Sequence, residues 1–292
     1  MLTGVALSGG GIGGTAHAGV LKALTEQSVK IDMISGTSLG AITASLYAAG
    51  FSPSSIEAFF VQTAAMLSGT GGLFLLLKEF IPKKGHIPLG GLFDGRFLEN
   101  KLKQMFKSKN ICTFKDFEMP VAVTALDVTN GEMMIFTSKR DAFLNGKGYK
   151  AADNIPVWTG IRAAVTLPAL LRPLIVKGKI YISSESISPL PSFPLWCMGA
   201  DKVLSACVSS VSYSKKGATL PELTEKTISN LSKRALEAES QVVDCNVTVD
   251  LDKLNKKGLK GIEAYIKEGY NTINKEVEKI LTSLYLTDYN YK

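Results

Sequence analysis

Short apolar runs alternate with longer stretches of helical periodicity along most of this chain. The runs are rich in Val, Ile, Leu and Ala, a pattern typical of strands buried on both faces of a sheet. Because strands and helices alternate, the sequence predicts an α/β fold with three layers, a mostly parallel central sheet and helices on both faces. The predicted strands are residues 2–8, 31–35, 120–126, 133–137, 179–182, 202–207 and 247–251, and the predicted helices are 15–26, 41–49, 54–66, 96–106, 161–166, 220–239 and 259–284.

The length of 292 residues suits one large domain or two small ones. No internal repeat, low-complexity tract or linker divides the chain. We therefore predict a single domain over residues 1–292, with its core at about 1–210 and a C-terminal helix-strand-helix extension at about 215–285.

The composition is that of an ordinary globular protein, with 46% hydrophobic and 20% charged residues. The net charge of +7 favours contact with anionic surfaces, such as the surface of a membrane, or simply reflects lysine as the common surface residue. Because no basic stripe is interleaved with aromatic residues, we predict no nucleic-acid partner.

Four cysteines lie far apart, at positions 112, 197, 207 and 245, and no metal-ligand spacing is present. We predict reduced, buried thiols, no metal and no cofactor. The chain enters a strand-like run at once, without a signal-like leader, and no segment reaches the roughly twenty apolar residues that span a bilayer. The expected location is cytoplasmic, with peripheral contact at a membrane.

The most informative motif is Gly36-Thr37-Ser38-Leu39-Gly40, between an apolar strand and an apolar helix. This is the sequence form of a nucleophile elbow, in which a serine at a sharp strand-to-helix turn exposes its hydroxyl. Gly36 and Gly40 are required because the turn brings the helix and the strand too close for side chains.

A glycine loop, Gly9-Gly10-Gly11-Ile12-Gly13-Gly14, follows the first predicted strand. A dinucleotide site would need an acidic residue at the end of the second strand, but Asp32 begins that strand. The other use of such a loop is to aim backbone N–H groups at a developing negative charge. Because parallel strands end at one edge of the sheet, the loop and Ser38 then form an acyl-transfer site. His17, on the next helix, is expected to brace the loop.

At these residues the chain resembles the patatin-like phospholipase family of bacteria. Nearly the whole chain takes part in the resemblance. It implies a lipid acyl hydrolase with a Ser–Asp dyad, with Ser38 as nucleophile, the N–H groups of Gly10 and Gly11 as the oxyanion hole, and a lipid or other ester as substrate. The matching blocks are Ser8–Gly14, His17–Leu24, Gly36–Ala41, Gly91–Gly95, Ala125–Gly131, Arg162–Pro168, Leu190–Pro191 and Gly199–Val203.

Two departures concern the chemistry. When the chain is aligned on Leu190-Pro191, Ser183 stands at the position of the family's aspartate, and Ser184 and Glu185 take the places of two small residues. Gly13 stands where the family usually carries Lys or Arg. Three alternatives follow: Glu185 reaches Ser38 as a substitute base, the protein is a degenerate hydrolase that binds lipid or a protein partner, or a base not identified from the sequence supports full activity.

Overall fold

The computed structural model describes residues 1–68, 91–144, 146–209, 220–254 and 258–286. Within these ranges the strands are β1 Thr3–Leu7, β2 Met33–Thr37, β3 Gly91–Phe93, β4 Val121–Asp127, β5 Glu132–Thr137, β6 Tyr149–Ala152, β7 Ala169–Leu171, β8 Leu174–Val176, β9 Lys179–Ser183, β10 Lys202–Val208 and β11 Cys245–Val249. The helices are α1 Ala16–Glu26, α2 Leu39–Ala48, α3 Pro53–Ser68, α4 Arg96–Ser108, α5 Val157–Ala164, α6 Phe193–Cys197, α7 Leu220–Glu239 and α8 Ile262–Leu281.

One sheet organises the fold, in the strand order β11-β10-β1-β2-β4-β5-β6. The five strands from β11 to β4 are parallel to one another, whereas β5 and β9 run antiparallel to β4. A parallel sheet gathers the C-terminal ends of its strands along one edge, where binding sites form. In this chain that edge carries the residues that follow β1 and β2.

The sheet separates two apolar layers, as the alternation of side chains along β1 demonstrates. Val5 and Leu7 belong to the larger core, which packs against α1, α2 and α8, whereas Ala6 faces the smaller core. Leu195 of α6 and Leu236 of α7 cover that second face. The α/β fold with three layers and a mostly parallel sheet is therefore confirmed.

Helix α8 crosses α1 at very short range. A Cβ added to Gly19 would lie 1.8 Å from the Ile266 carbonyl oxygen, and one added to Gly269 would lie 2.2 Å from that of Ala16. Close approach of two backbones requires glycine at both positions. The C-terminal segment thus joins the rest of the chain through this crossing and through the pairing of β11 with β10.

The predicted elements form, with ends shifted by a few residues. Four short strands were not predicted (β3, β6, β7 and β8), and neither was the five-residue helix α6. The prediction of buried thiols was wrong for Cys112, which is exposed, and Cys197 is only partly buried. All four cysteines lie in the described ranges and none is in a disulfide.

Candidate active site

Ser38 occupies a strained backbone conformation between β2 and α2. Its φ of 55° and ψ of −128° fall in a region that non-glycine residues rarely adopt and that often marks a functional site. A Cβ at Gly36 would lie 2.2 Å from the Gly40 carbonyl oxygen, and one at Gly40 would lie 2.5 Å from that of Leu7. The two glycines therefore permit the sharp turn, as the sequence motif predicts.

The Ser38 side chain is 7% exposed. Within the described ranges, no hydrogen bond joins its hydroxyl to another group. A serine hydroxyl needs a positioned base before it is an effective nucleophile. The part of the chain that the structure describes supplies the turn but places no base on the hydroxyl.

Strands β2 and β9 meet end to end along one side of β4. Thr37, the last residue of β2, pairs with Thr124, and Ser183, the last residue of β9, pairs with Ala125. Because Thr124 and Ala125 are consecutive, Ser183 comes to the sheet next to the start of the Ser38 turn. At this place beside the elbow the side chain of Ser183 is a buried hydroxyl, and its correspondence to the family's aspartate stays a prediction.

A chain of hydroxyl groups lies beneath the elbow. Ser184 Oγ donates to Thr124 Oγ1 at 2.9 Å, Thr124 Oγ1 and Thr37 Oγ1 are 2.7 Å apart, and Thr37 Oγ1 donates to the Ser188 carbonyl oxygen at 3.1 Å. The chain ends on a carbonyl, which cannot take up a proton near neutral pH. It therefore fixes the loop after β9 against the elbow and offers Ser38 no general base.

The glycine loop lies beside the elbow, since β1 and β2 are neighbours in the sheet. Gly10 and Gly11 have φ values of 124° and 53°, and residues Gly11–Thr15 form a 3-10 turn before α1. A Cβ at Gly14 would lie 2.9 Å from Leu39 Cβ, the residue after Ser38. Gly13 is buried within this 3-10 turn, and no residue of the turn is basic.

Glu185 contacts the glycine loop directly. Its Oε1 accepts the Gly10 N–H at 2.7 Å, and its Cδ lies 2.5 Å from the point that a Cβ on Gly9 would occupy. The Glu185 side chain is 8% exposed. No hydrogen bond joins it to Ser38 within the described ranges, so its assignment as a substitute base stays a prediction.

His17 is fully buried and its Nε2 donates to the Ser8 carbonyl oxygen at 2.9 Å. Its Nδ1 is buried without a partner among the described residues. Burial lowers the pKa of His17 from 6.5 to about 4, and its hydrogen bond to Ser8 only partly opposes this shift. The neutral imidazole of His17 thus braces the glycine loop through its hydrogen bond to Ser8, the residue before Gly9.

Glu239, at the end of α7, was not singled out by the sequence. Its Oε1 accepts from Ser188 Oγ at 2.7 Å and its Oε2 accepts from the Leu190 N–H at 2.8 Å. Burial raises the pKa of Glu239 from 4.5 to about 7, although both hydrogen bonds act to lower it. This carboxyl anchors the far end of the loop that carries Glu185.

A cavity of about 640 Å³ lies between the glycine loop and α7. Gly9, Gly10 and Gly11 form one wall together with Glu185, and side chains of α7 form the opposite wall. The volume lies in the usual range for small-molecule sites. The loop thus faces a space large enough for a ligand.

The predicted site residues form two groups in space. Ser38, Gly36 and Gly40 make the elbow, and Ser183 approaches it along β4. Glu185 is held instead against the glycine loop, residues Gly9–Gly14. Among the described residues, no cluster of three His, Cys, Asp or Glu side chains is arranged to hold a metal ion. Within the same ranges, every helix is too short or too polar to cross a membrane.

Comparison with known proteins gives a family and several distant relatives. The family model described as patatin-like phospholipase matches residues 5–191. The chain is 28% identical over 211 residues to the lysophospholipase NTE1 of Mycosarcoma maydis, covering 72% of this chain and 10% of that protein. It is 27% identical over 201 residues to the uncharacterised protein YqhO of Bacillus subtilis, covering 67% of this chain and 66% of YqhO.

Among solved structures, the crystal structure of VipD from Legionella pneumophila superposes with a TM-score of 0.49 at 12% identity, covering 95% of this chain and 67% of VipD. The chain spans only a small part of several relatives, including 14% of the mouse patatin-like phospholipase domain-containing protein 7.

Proposed function

The chain belongs to the patatin-like phospholipase family, and on that premise we propose that it is a serine acyl hydrolase of lipid esters with low turnover. Relatives named lysophospholipase and phospholipase provide the substrate class. Ser38 is the proposed nucleophile, and the N–H groups of Gly10 and Gly11 form the proposed oxyanion hole.

One observation carries this proposal: a strained serine follows β2, and the loop after the neighbouring strand β1 holds a backbone N–H that already binds a carboxylate oxygen. Ser38 has a positive φ at the end of β2, and the Gly10 N–H donates to Glu185 Oε1 at 2.7 Å. A tetrahedral intermediate carries its negative charge on an oxygen that needs such donors. The arrangement therefore supports acyl transfer over the binding of a dinucleotide.

In the proposed reaction, Ser38 Oγ attacks the ester carbonyl carbon and its proton passes to solvent. The Gly10 and Gly11 N–H groups stabilise the resulting oxyanion. Collapse of the intermediate breaks the bond to the alcohol, which leaves with a proton, and water then hydrolyses the acyl-enzyme to a free carboxylate. Each step needs the oxyanion hole to be open to the substrate.

The expected turnover is low because Ser183 replaces the family's aspartate. General-base assistance is worth about 10²–10⁴-fold in rate. Serine hydrolases that lose a catalytic partner retain some activity through the oxyanion hole and through binding. A second candidate function is non-hydrolytic binding of lipid or of a protein partner. It is favoured by Ser183 in place of the aspartate and by the Glu185 carboxylate, which accepts the Gly10 N–H.

A fluorophosphonate probe separates the two candidates, because it labels only an activated serine. Intact-mass analysis of the wild-type chain should show a single adduct that disappears in Ser38→Ala. Ser45→Ala is a matched control, since Ser45 is a buried serine of α2 whose hydroxyl has no partner among the described residues. It should keep the adduct. Absence of labelling in folded wild-type protein would exclude the hydrolase and leave the binding function.

We also propose peripheral contact with a membrane and a cytoplasmic location. Lipid substrates lie in membranes, and three apolar residues in the segment from β7 to the loop after β9 are exposed: Leu170, Ile175 and Ile187. Sedimentation with vesicles of anionic lipid tests the contact. Binding that weakens in Ile187→Ser would support it, and no binding at low salt would exclude it.

A further inference from the structure

The glycine loop binds a carboxylate in this structure, and the carboxylate belongs to the protein itself. Glu185 Oε1 accepts the Gly10 N–H at 2.7 Å. The side chain lies so close to Gly9 that any Cβ there would overlap its Cδ, at 2.5 Å. Glycine at this position is therefore needed for the carboxylate to reach the loop, not only for the shape of the turn.

No cation pairs with Glu185 among the described residues. The Glu185 carboxylate is therefore held by a backbone N–H, which can donate to any carboxylate or oxyanion of suitable shape. The Gly11 N–H next to it has no partner within the same ranges, so a second donor is free for the other carboxylate oxygen. These two donors form a site for a carboxylate group rather than a specific site for glutamate.

The cavity beside the loop suits the rest of such a ligand. Apolar side chains from four segments line it: Ile12, Leu167, Val208 and Leu236. Its charged side chains beyond Glu185 are two lysines and two acids, Lys226, Lys233, Glu237 and Asp252, so their formal charges cancel. Among the described lining residues, Glu185 therefore carries the one unbalanced formal charge, close to the loop.

We propose that the glycine loop and this cavity form a binding site for a long-chain carboxylate, a fatty acid, and that Glu185 occupies its head-group position until the ligand displaces it. The choice of a fatty acid rests on the proposed function, because hydrolysis of a lipid ester releases one. A ligand that must displace an internal carboxylate binds more weakly, because its apparent Kd equals the Kd for the open site divided by the fraction of molecules in which the site is open.

The displacement involves the Glu185 side chain rather than its backbone. Ser184 Oγ is fixed to Thr124 on one side, and Ser188 Oγ is fixed to Glu239 on the other. A rotation about the side-chain bonds of Glu185 carries the carboxylate from Gly10 into the cavity.

Binding of laurate, measured by calorimetry below its critical micelle concentration, tests the site. All proteins carry Ser38→Ala, so the result does not depend on the nucleophile. Adding Glu185→Ala should tighten laurate binding by about tenfold or more, if the internal carboxylate fills the site in nine of ten molecules. Glu185→Gln keeps the shape of the side chain with a weaker acceptor, and we expect an intermediate gain.

Glu118→Ala is the matched control for charge, because it removes an exposed acid that does not line the cavity. It should change the affinity by less than about twofold, because exposed charges are screened. Equal affinities with and without Glu185, an equal gain from Glu118→Ala, or no laurate binding by any variant would each overturn the proposal. If Glu185→Ala does not fold, Glu185→Gln decides in the same way. Failure of the hydrolase proposal appears separately, as absence of Ser38 labelling.

Discussion

Glu185 Oε1 lies 2.7 Å from the Gly10 nitrogen and accepts its N–H, so a carboxylate of the protein occupies the position proposed for the oxyanion. A substrate carbonyl and the Glu185 carboxylate therefore compete for the same donor. A base for Ser38 would instead have to lie within hydrogen-bond reach of the hydroxyl. Removing Glu185 should therefore slow the reaction of Ser38 if Glu185 is its base, and should speed that reaction if Glu185 occupies the oxyanion hole.

Restoring an acid at position 183 should raise turnover. Ser183 ends β9 beside the elbow, and an aspartate there supplies the missing base, which is worth about 10²–10⁴-fold. We expect Ser183→Asp with Ser184→Gly to raise hydrolysis of p-nitrophenyl butyrate towards that range. Ser183→Asn with Ser184→Gly has the same shape without the base and should give no gain. Equal rates in both double variants would mean that the Ser183 position does not serve Ser38.

Gly36→Ala should destabilise the elbow strongly. The added Cβ would lie 2.2 Å from the Gly40 carbonyl oxygen, a backbone atom that cannot move aside without opening the turn. We expect a loss of about 3 kcal/mol or more in unfolding free energy, at the upper end for overpacked sites. Gly4→Ala on the neighbouring strand meets a Leu195 side chain at 3.1 Å and should cost less. Urea unfolding checks the order of the two losses.

Glu239 should make the protein less stable as the pH rises. Its pKa is about 7 in the folded protein and near 4.5 when unfolded, so the folded state holds the proton more tightly across this window. Stability is highest below pH 4.5 for this group and falls by about 3 kcal/mol as the pH rises through 7. Glu239→Gln keeps an acceptor for Leu190 N–H and removes the titration. In urea unfolding, the gain in unfolding free energy of Glu239→Gln over wild type should therefore be larger at pH 8 than at pH 5. A constant difference would contradict a carboxyl that holds its proton more tightly in the folded state.

His17 should make the protein less stable as the pH falls, the opposite of the effect of Glu239. Its pKa is about 4 when folded and 6.5 when unfolded, so the unfolded state binds the proton first as the pH falls. The contribution of His17 to the free energy of unfolding is fully present above pH 6.5, and about 3 kcal/mol of it is lost by pH 4. An NMR titration of the His17 ring should give a midpoint near 4. A midpoint near 6.5 in the folded protein would exclude the buried, neutral imidazole.

The elbow could be predicted from sequence because part of its glycine requirement is local. Gly36 leaves room for the carbonyl oxygen of Gly40, four residues away, and this is visible in the spacing around Ser38, whereas Gly40 leaves room for the carbonyl oxygen of Leu7 on the neighbouring strand. The parallel sheet followed from alternating strands and helices. Short strands such as β6 and β7 were missed because three or four residues carry too little periodicity.

The target of Glu185 could not be predicted from the sequence. Its contact with Gly10 depends on a loop fixed by Thr124 and by Glu239, which are about 60 and 50 residues away in the chain. No local pattern marks Glu239, because its role comes from burial against a distant loop. Sequence reasoning therefore named Gly10 and Glu185 as candidates but did not predict their contact, and it missed Glu239.

The rate at which a fluorophosphonate labels Ser38, compared between wild type and Glu185→Ala, decides between the two roles of this carboxylate. If Glu185 occupies the oxyanion hole, removing it should raise the second-order labelling rate by about tenfold or more, with Glu185→Gln in between. If Glu185 is the base of Ser38, both variants should label more slowly, by about 10²-fold or more. We expect the faster rate, and a slower or unchanged rate in Glu185→Ala would contradict an oxyanion hole occupied by Glu185.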